Sequence, residues 1–96
     1  MKRNFDIGDF VEVATPQSII LSIKERAKIR RKSLKISQKK LAERSGVSYA
    51  SVRRFEKTGE ISLISLINIA DTLGCTEDFN FLFGKKIITN LKDFNE

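Results

Sequence analysis

The sequence has no histidine, no tryptophan, one cysteine and one proline in 96 residues. Cys75 alone cannot build a disulfide framework. Without histidine or a cysteine cluster, a zinc site or a histidine-based catalytic site is excluded as a working hypothesis, and no metal or cofactor is expected. No apolar run approaches the ~20 residues needed to span a bilayer, and the opening MKRNFDIGDF has no signal-peptide core. The expectation is a cytoplasmic protein with no membrane partner. A chain of this length holds one small domain with end segments, leaving no room for a separate enzyme domain. Asp71, Glu77 and Asp78 stand where helix ends and solvent explain them, and no Gly-rich phosphate loop is present. The expectation is therefore a non-enzyme.

What the chain does have is positive charge in one place. The net charge is +6, but residues 17–57 hold thirteen Lys and Arg against Glu25, Glu43 and Glu56, an excess of ten. The remaining residues sum to −4. A solvated charged face is the plainer reading of such a run. The asymmetry nevertheless points to a polyanion or an anionic surface.

Within that region, SQKKLAERSGVSYASVRRFEK (residues 37–57) reads as two short helices joined by a tight turn. Counting Gln38 as first, Leu41 and Ala42 stand fourth and fifth, Gly46 ninth, Val47 tenth, Val52 fifteenth and Phe55 eighteenth. Ala42 is small enough for a second helix to cross closely over it. Gly46 supplies a left-handed turn conformation. Leu41, Val47, Val52 and Phe55 fill the angle between the helices, while Ser37 and Ser48 are placed to cap them.

Before this unit, Phe10, Val11 and Val13 suggest a brief strand or an ordered arm in residues 1–16, closed by Pro16. A helix is expected from Gln17 to about Lys32, capped by Thr15 or Ser18, with Ile20, Ile23 and Ala27 on one face and Leu34 closing the run. Its basic end includes Lys28, Arg30, Arg31, Lys32 and Lys35. These cations suit the helix dipole singly and, as a cluster, are expected to help neutralise phosphates.

After the loop of Thr58, Gly59 and Glu60, Ser62 caps a helix with Leu63, Leu66, Ile67, Ala70 and Leu73 at helical spacing, ended by Gly74. It should pack across the first helix and the helix pair. Cys75 reads as a small core hydrophobe. Thr76 can cap a fifth helix, EDFNFLF, whose Phe79, Leu82 and Phe83 would seal the core. Residues 85–96 form a tail in which Ile87 or Ile88, Leu91 and Phe94 carry apolar surface.

Five helices with a helix-turn-helix as second and third resemble the lambda-repressor-like domain of the XRE family. The resemblance spans residues 17–84 and rests on SQKKLAERSGVSYASVRRFEK, the amphipathic helix after it and its Leu-Gly stop. It implies an all-α fold and a sequence-specific, double-stranded-DNA-binding transcriptional regulator, a repressor acting as a homodimer. By position it implies that Gln38 touches the DNA backbone or braces a base-reading side chain. Ser48, Tyr49, Ala50 and Ser51 then open the helix that enters the major groove, with Arg53 and Arg54 one turn on and Lys57 beyond. Tyr49 and Arg54 become the leading base readers: an Arg can bond guanine O6 and N7, and Ala50 can meet a thymine methyl.

The same resemblance pairs Arg31 with Glu56 as a partly buried interhelical ion pair. Ser45 stands at a usually apolar position, which would loosen the second helix. KTGE replaces the usual short loop, putting phosphate contacts there in doubt. The arrangement TPQSI…LAERSGVS is also similar to repressors paired with kinase-like toxins, so an antitoxin that grips a partner toxin and represses their operon is the alternative. RNA binding would ask for stacking aromatics, and Tyr49 alone supplies few.

Overall fold

The computed structural model describes residues 14–86. Among these the fold is all-α: α1 (Pro16–Ser33), α2 (Gln38–Ser45), α3 (Tyr49–Thr58), α4 (Leu63–Thr72) and a 3₁₀ helix (Thr76–Phe81). The strand or arm expected around Phe10 to Val13, and the apolar positions at Ile87, Ile88, Leu91 and Phe94, lie outside the described residues.

Each α-helix starts where a hydroxyl can satisfy free amides. Thr15 and Ser18 act together on α1, Thr15 Oγ1 accepting from the Ser18 amide and Ser18 Oγ from the Thr15 amide. Pro16 then fits the first helical position, where no amide bond is lost. Ser37, Ser48 and Ser62 cap α2, α3 and α4 through the amides of Lys40, Ser51 and Ser65. The turn between α2 and α3 is made by Gly46 at φ 75°, its amide donating to Ala42 O at 2.9 Å. Ser45, the polar residue at this end of α2, is half-buried, and its hydroxyl accepts from the Val47 amide at 3.2 Å.

Leu41, Val47, Val52, Phe55, Ile69 and Leu73 form the buried core, and Ile23, Ala27, Ile36, Ala42, Ile61, Leu66 and Cys75 pack against it. α3 packs on both α1 and α2, and α4 packs on α2. α1 also reaches the end of α4 through a polar bond, Arg30 Nε donating to Leu73 O at 2.9 Å.

Three expectations change at this end of the chain. The buried residues of α4 are Ile69 and Ala70, whereas Leu63 in its first turn is 63% exposed. The fifth helix is a six-residue 3₁₀ segment without a side-chain cap. The Thr76 hydroxyl reaches instead to Asp71 Oδ1 at 3.1 Å. Phe79 is half-buried, but Leu82 is exposed and Phe83, at φ 59°, is 101% exposed. The chain turns outward after Phe79, so Leu82 and Phe83 do not seal the core.

Candidate nucleic-acid interface

The site begins with a buried charge. Glu56 lies on the inner side of α3, 6% exposed, facing Arg31 of α1, 7% exposed. Two parallel bonds join them, Arg31 Nε to Glu56 Oε2 at 2.7 Å and Arg31 Nη2 to Oε1 at 2.9 Å. Such a fork-to-fork arrangement fixes direction as well as distance. Gln38 Nε2 donates to the same Oε1 at 2.9 Å, and Arg31 Nη1 donates to Ile36 O at 2.9 Å. The Arg31–Glu56 pair thus ties α1, the α1–α2 connection, the start of α2 and the last turns of α3. Burial alone would push the Glu56 carboxyl up. The hydrogen bonds from Arg31 and Gln38 and the charges of Arg31 and Lys28 outweigh it, and the pKa lies below the ordinary glutamate value.

This network orients the outer side of α3. Ala50, Arg53, Arg54, Lys57 and Thr58 share an open groove of about 520 Å³ with Gln38 of α2, Lys28 of α1 and the edge of Glu56. Apart from Glu56, every charged residue on its wall is a cation. Tyr49, 40% exposed, stands at the helix entrance with the Lys39 ammonium 5.8 Å and the Arg53 guanidinium 5.6 Å from its ring centroid. Both distances suit cation–π attraction, which holds the ring beside α2.

Ser48 and Ser51 are engaged with each other. The Ser48 hydroxyl accepts from the Ser51 amide at 3.1 Å and donates to the Ser51 hydroxyl at 2.9 Å. Gln38 likewise spends one donor on the Glu56 brace while lining the groove.

The basic end of α1 divides on folding. Arg30 Nε bonds the Leu73 carbonyl at the C-cap of α4, and Arg31 enters the ion pair. Lys28 lines the groove, and Lys32 and Lys35 stay exposed. The expected cluster of five phosphate-neutralising cations is therefore split. Two guanidinium groups are committed to the fold.

Three residues at this surface were not singled out by sequence reasoning. Lys28 was one cation among five, and only the crossing of α1 over α3 distinguishes it. Lys39 and Tyr49 are ten positions apart, with no sequence signal for contact beyond their places on adjoining helices. Glu60 read as a loop residue, yet it holds Arg54: Nε at 2.9 Å and Nη2 at 2.6 Å both reach Glu60 Oε1.

A capped helix pair about a left-handed glycine, with a cationic groove on the outer side of its second helix, defines a helix-turn-helix domain of the DNA-binding class. A family model described as helix-turn-helix matches residues 28–80. That is more than half of the chain, and the protein belongs to this helix-turn-helix family, of the lambda-repressor-like XRE type. No curated relative and no solved structure matches it. The family is one of DNA-binding transcription regulators. Among the described residues, no helix is long and apolar enough to cross a membrane.

Proposed function

We propose that the protein is a sequence-specific repressor that binds double-stranded DNA as a homodimer and occludes a promoter. The observation that carries this reading is the shared groove of Gln38, Ala50, Arg53, Arg54, Lys57 and Lys28, presented by a helix whose roll is fixed from inside by Glu56. In this reading the start of α3 enters the major groove. Tyr49 and Arg54 meet base edges, Ala50 meets a thymine methyl, and Arg53, Lys57 and Gln38 take phosphates. Ser48 and Ser51, bonded to each other, set the start of α3 and present their remaining capacity to the backbone.

One short helix reads few base pairs. Two copies on half-sites about 34 Å apart supply the missing discrimination. Selection of bound duplexes from random sequence, run in parallel with Tyr49→Ala and Arg54→Ala, tests the assignment. A lost preference at one position marks a base reader, and uniform weakening marks a phosphate contact. Affinity falls with salt at a log–log slope of about −0.9 per phosphate neutralised. Binding indifferent to salt sinks the electrostatic part.

A second reading adds a toxin partner and makes the protein an antitoxin that also represses its own operon. It is supported by Phe81, Leu82 and Phe83, which are 79%, 56% and 101% exposed on a segment that shares no residue with the groove. Copurification with the product of a neighbouring gene, and toxicity of that product expressed alone, is the expected result.

A further inference from the structure

Resting on the DNA-binding reading, we infer that Glu60 is a positioning residue that aims Arg54 at a guanine. The loop after α3 is built around these two residues. Gly59, at φ 86°, turns the chain back, and its amide closes on Phe55 O at 2.8 Å. The Thr58 hydroxyl donates to Arg54 O at 2.8 Å and accepts from the Glu60 amide at 3.0 Å. The backbone of Glu60 is thus anchored to the backbone of Arg54 through a single hydroxyl. Its carboxylate then meets the guanidinium side-on, one oxygen taking both the Nε and Nη2 hydrogens.

This geometry leaves the far edge of the guanidinium open. Nη1 and the second hydrogen of Nη2 form two parallel donors, the pair that matches guanine O6 and N7. Arg54 also stands on the wall between the main groove and a second one of about 350 Å³, lined by Ser51, Glu60, Ile61, Ser62 and Ser65. A guanidinium without Glu60 could swing from one groove to the other and settle on any phosphate. With Glu60 engaged it is held between them, end outward.

The pair is exposed, with side chains 68% and 64% accessible. Its contribution to stability is therefore small. Its effect falls on selectivity, where a modest bias in the direction of one side chain is multiplied over two half-sites. The carboxylate also repels phosphate, so a misregistered Arg54 gains less from non-specific DNA.

The test is a selection from random duplexes with the full chain, comparing wild type, Glu60→Ala, Arg54→Ala and the double variant. Wild type enriches a guanine at one position of each half-site, and Arg54→Ala abolishes that enrichment. Glu60→Ala lowers it about two- to fivefold, the range an exposed ion pair can bias, leaves the other positions unchanged and tightens binding to random duplex. In the Arg54→Ala background, Glu60→Ala has no effect at that position. Unaltered guanine preference in Glu60→Ala, or an equal change with and without Arg54, overturns the positioning role while leaving DNA recognition intact. A wild-type chain that enriches no sequence overturns the DNA reading and this inference with it.

Discussion

Glu56→Gln is the substitution with the best-defined cost. It keeps the size of the side chain and one acceptor oxygen, but leaves the Arg31 guanidinium 7% exposed without a counter-charge. It also confronts the Gln38 amide with a group that is no longer an anion. Removing one member of a buried pair costs about 3–5 kcal/mol. For a domain of 60–100 residues each kcal/mol moves the melting temperature by about 4–8 °C, so the fall should reach at least about 12 °C. Circular-dichroism melts at pH 7 of wild type, Glu56→Gln, Arg31→Met and the double variant give the coupling directly. The double variant should recover much of the loss, because no charge is then buried alone.

The pH dependence supplies a second readout. The folded carboxyl binds its proton less tightly than the unfolded one, whose pKa is about 4.3, so the unfolded state takes up more protons in acid. The stabilisation is fully present above that value and is lost as pH falls through the lowered folded pKa. Glu56→Gln should flatten this acid limb. A Gln variant melting within about 2 °C of wild type, a shift worth under about 0.5 kcal/mol, with the same acid limb, would refute the bracing role.

Two glycines that look alike in sequence should respond differently, and a cap loss can be read in the same assay. Gly46 and Gly59 both have positive φ, but a Cβ at Gly46 meets nothing within 4 Å, whereas one at Gly59 overlaps the Ile20 side chain. Gly46→Ala should cost only the left-handed strain of about 1–2 kcal/mol. Gly59→Ala should cost more, with part of the excess recovered by Ile20→Ala, as measured by urea unfolding. Ser48→Ala removes the hydroxyl that accepts from the Ser51 amide and should cost about 1 kcal/mol in the same assay.

The helical frame was legible because its signals are local. Serine before each of α2, α3 and α4, glycine at the turn, and Leu41, Val47, Val52 and Phe55 at fixed spacing depend little on the remainder of the chain. The fate of the basic run was not legible. Lys28, Arg30, Arg31 and Lys32 differ little in composition terms, and only the crossing of α1 over α3 and the end of α4 sends one to a groove and two into the fold. The same limit applies at the other end. Phe79, Leu82 and Phe83 share hydropathy, and a change of backbone direction rather than apolarity decides which of them is covered.

Spacing on α3 does place Ala50, Arg53, Arg54 and Lys57 near one another. It says nothing of Glu60, whose approach to Arg54 depends on the sharp return at Gly59.

Gln38 has a consequence for how such a protein can change its target. Tyr49, Ala50, Arg53 and Lys57 form none of the hydrogen bonds in the Glu56 network, so substitutions there can alter the reading surface while the frame persists. Gln38 belongs to both, bonded to Glu56 on one side and open to the groove on the other. New specificities should therefore accumulate along α3. A change at Gln38 must be matched by one at Arg31 or Glu56, and these three residues are expected to vary together or remain fixed.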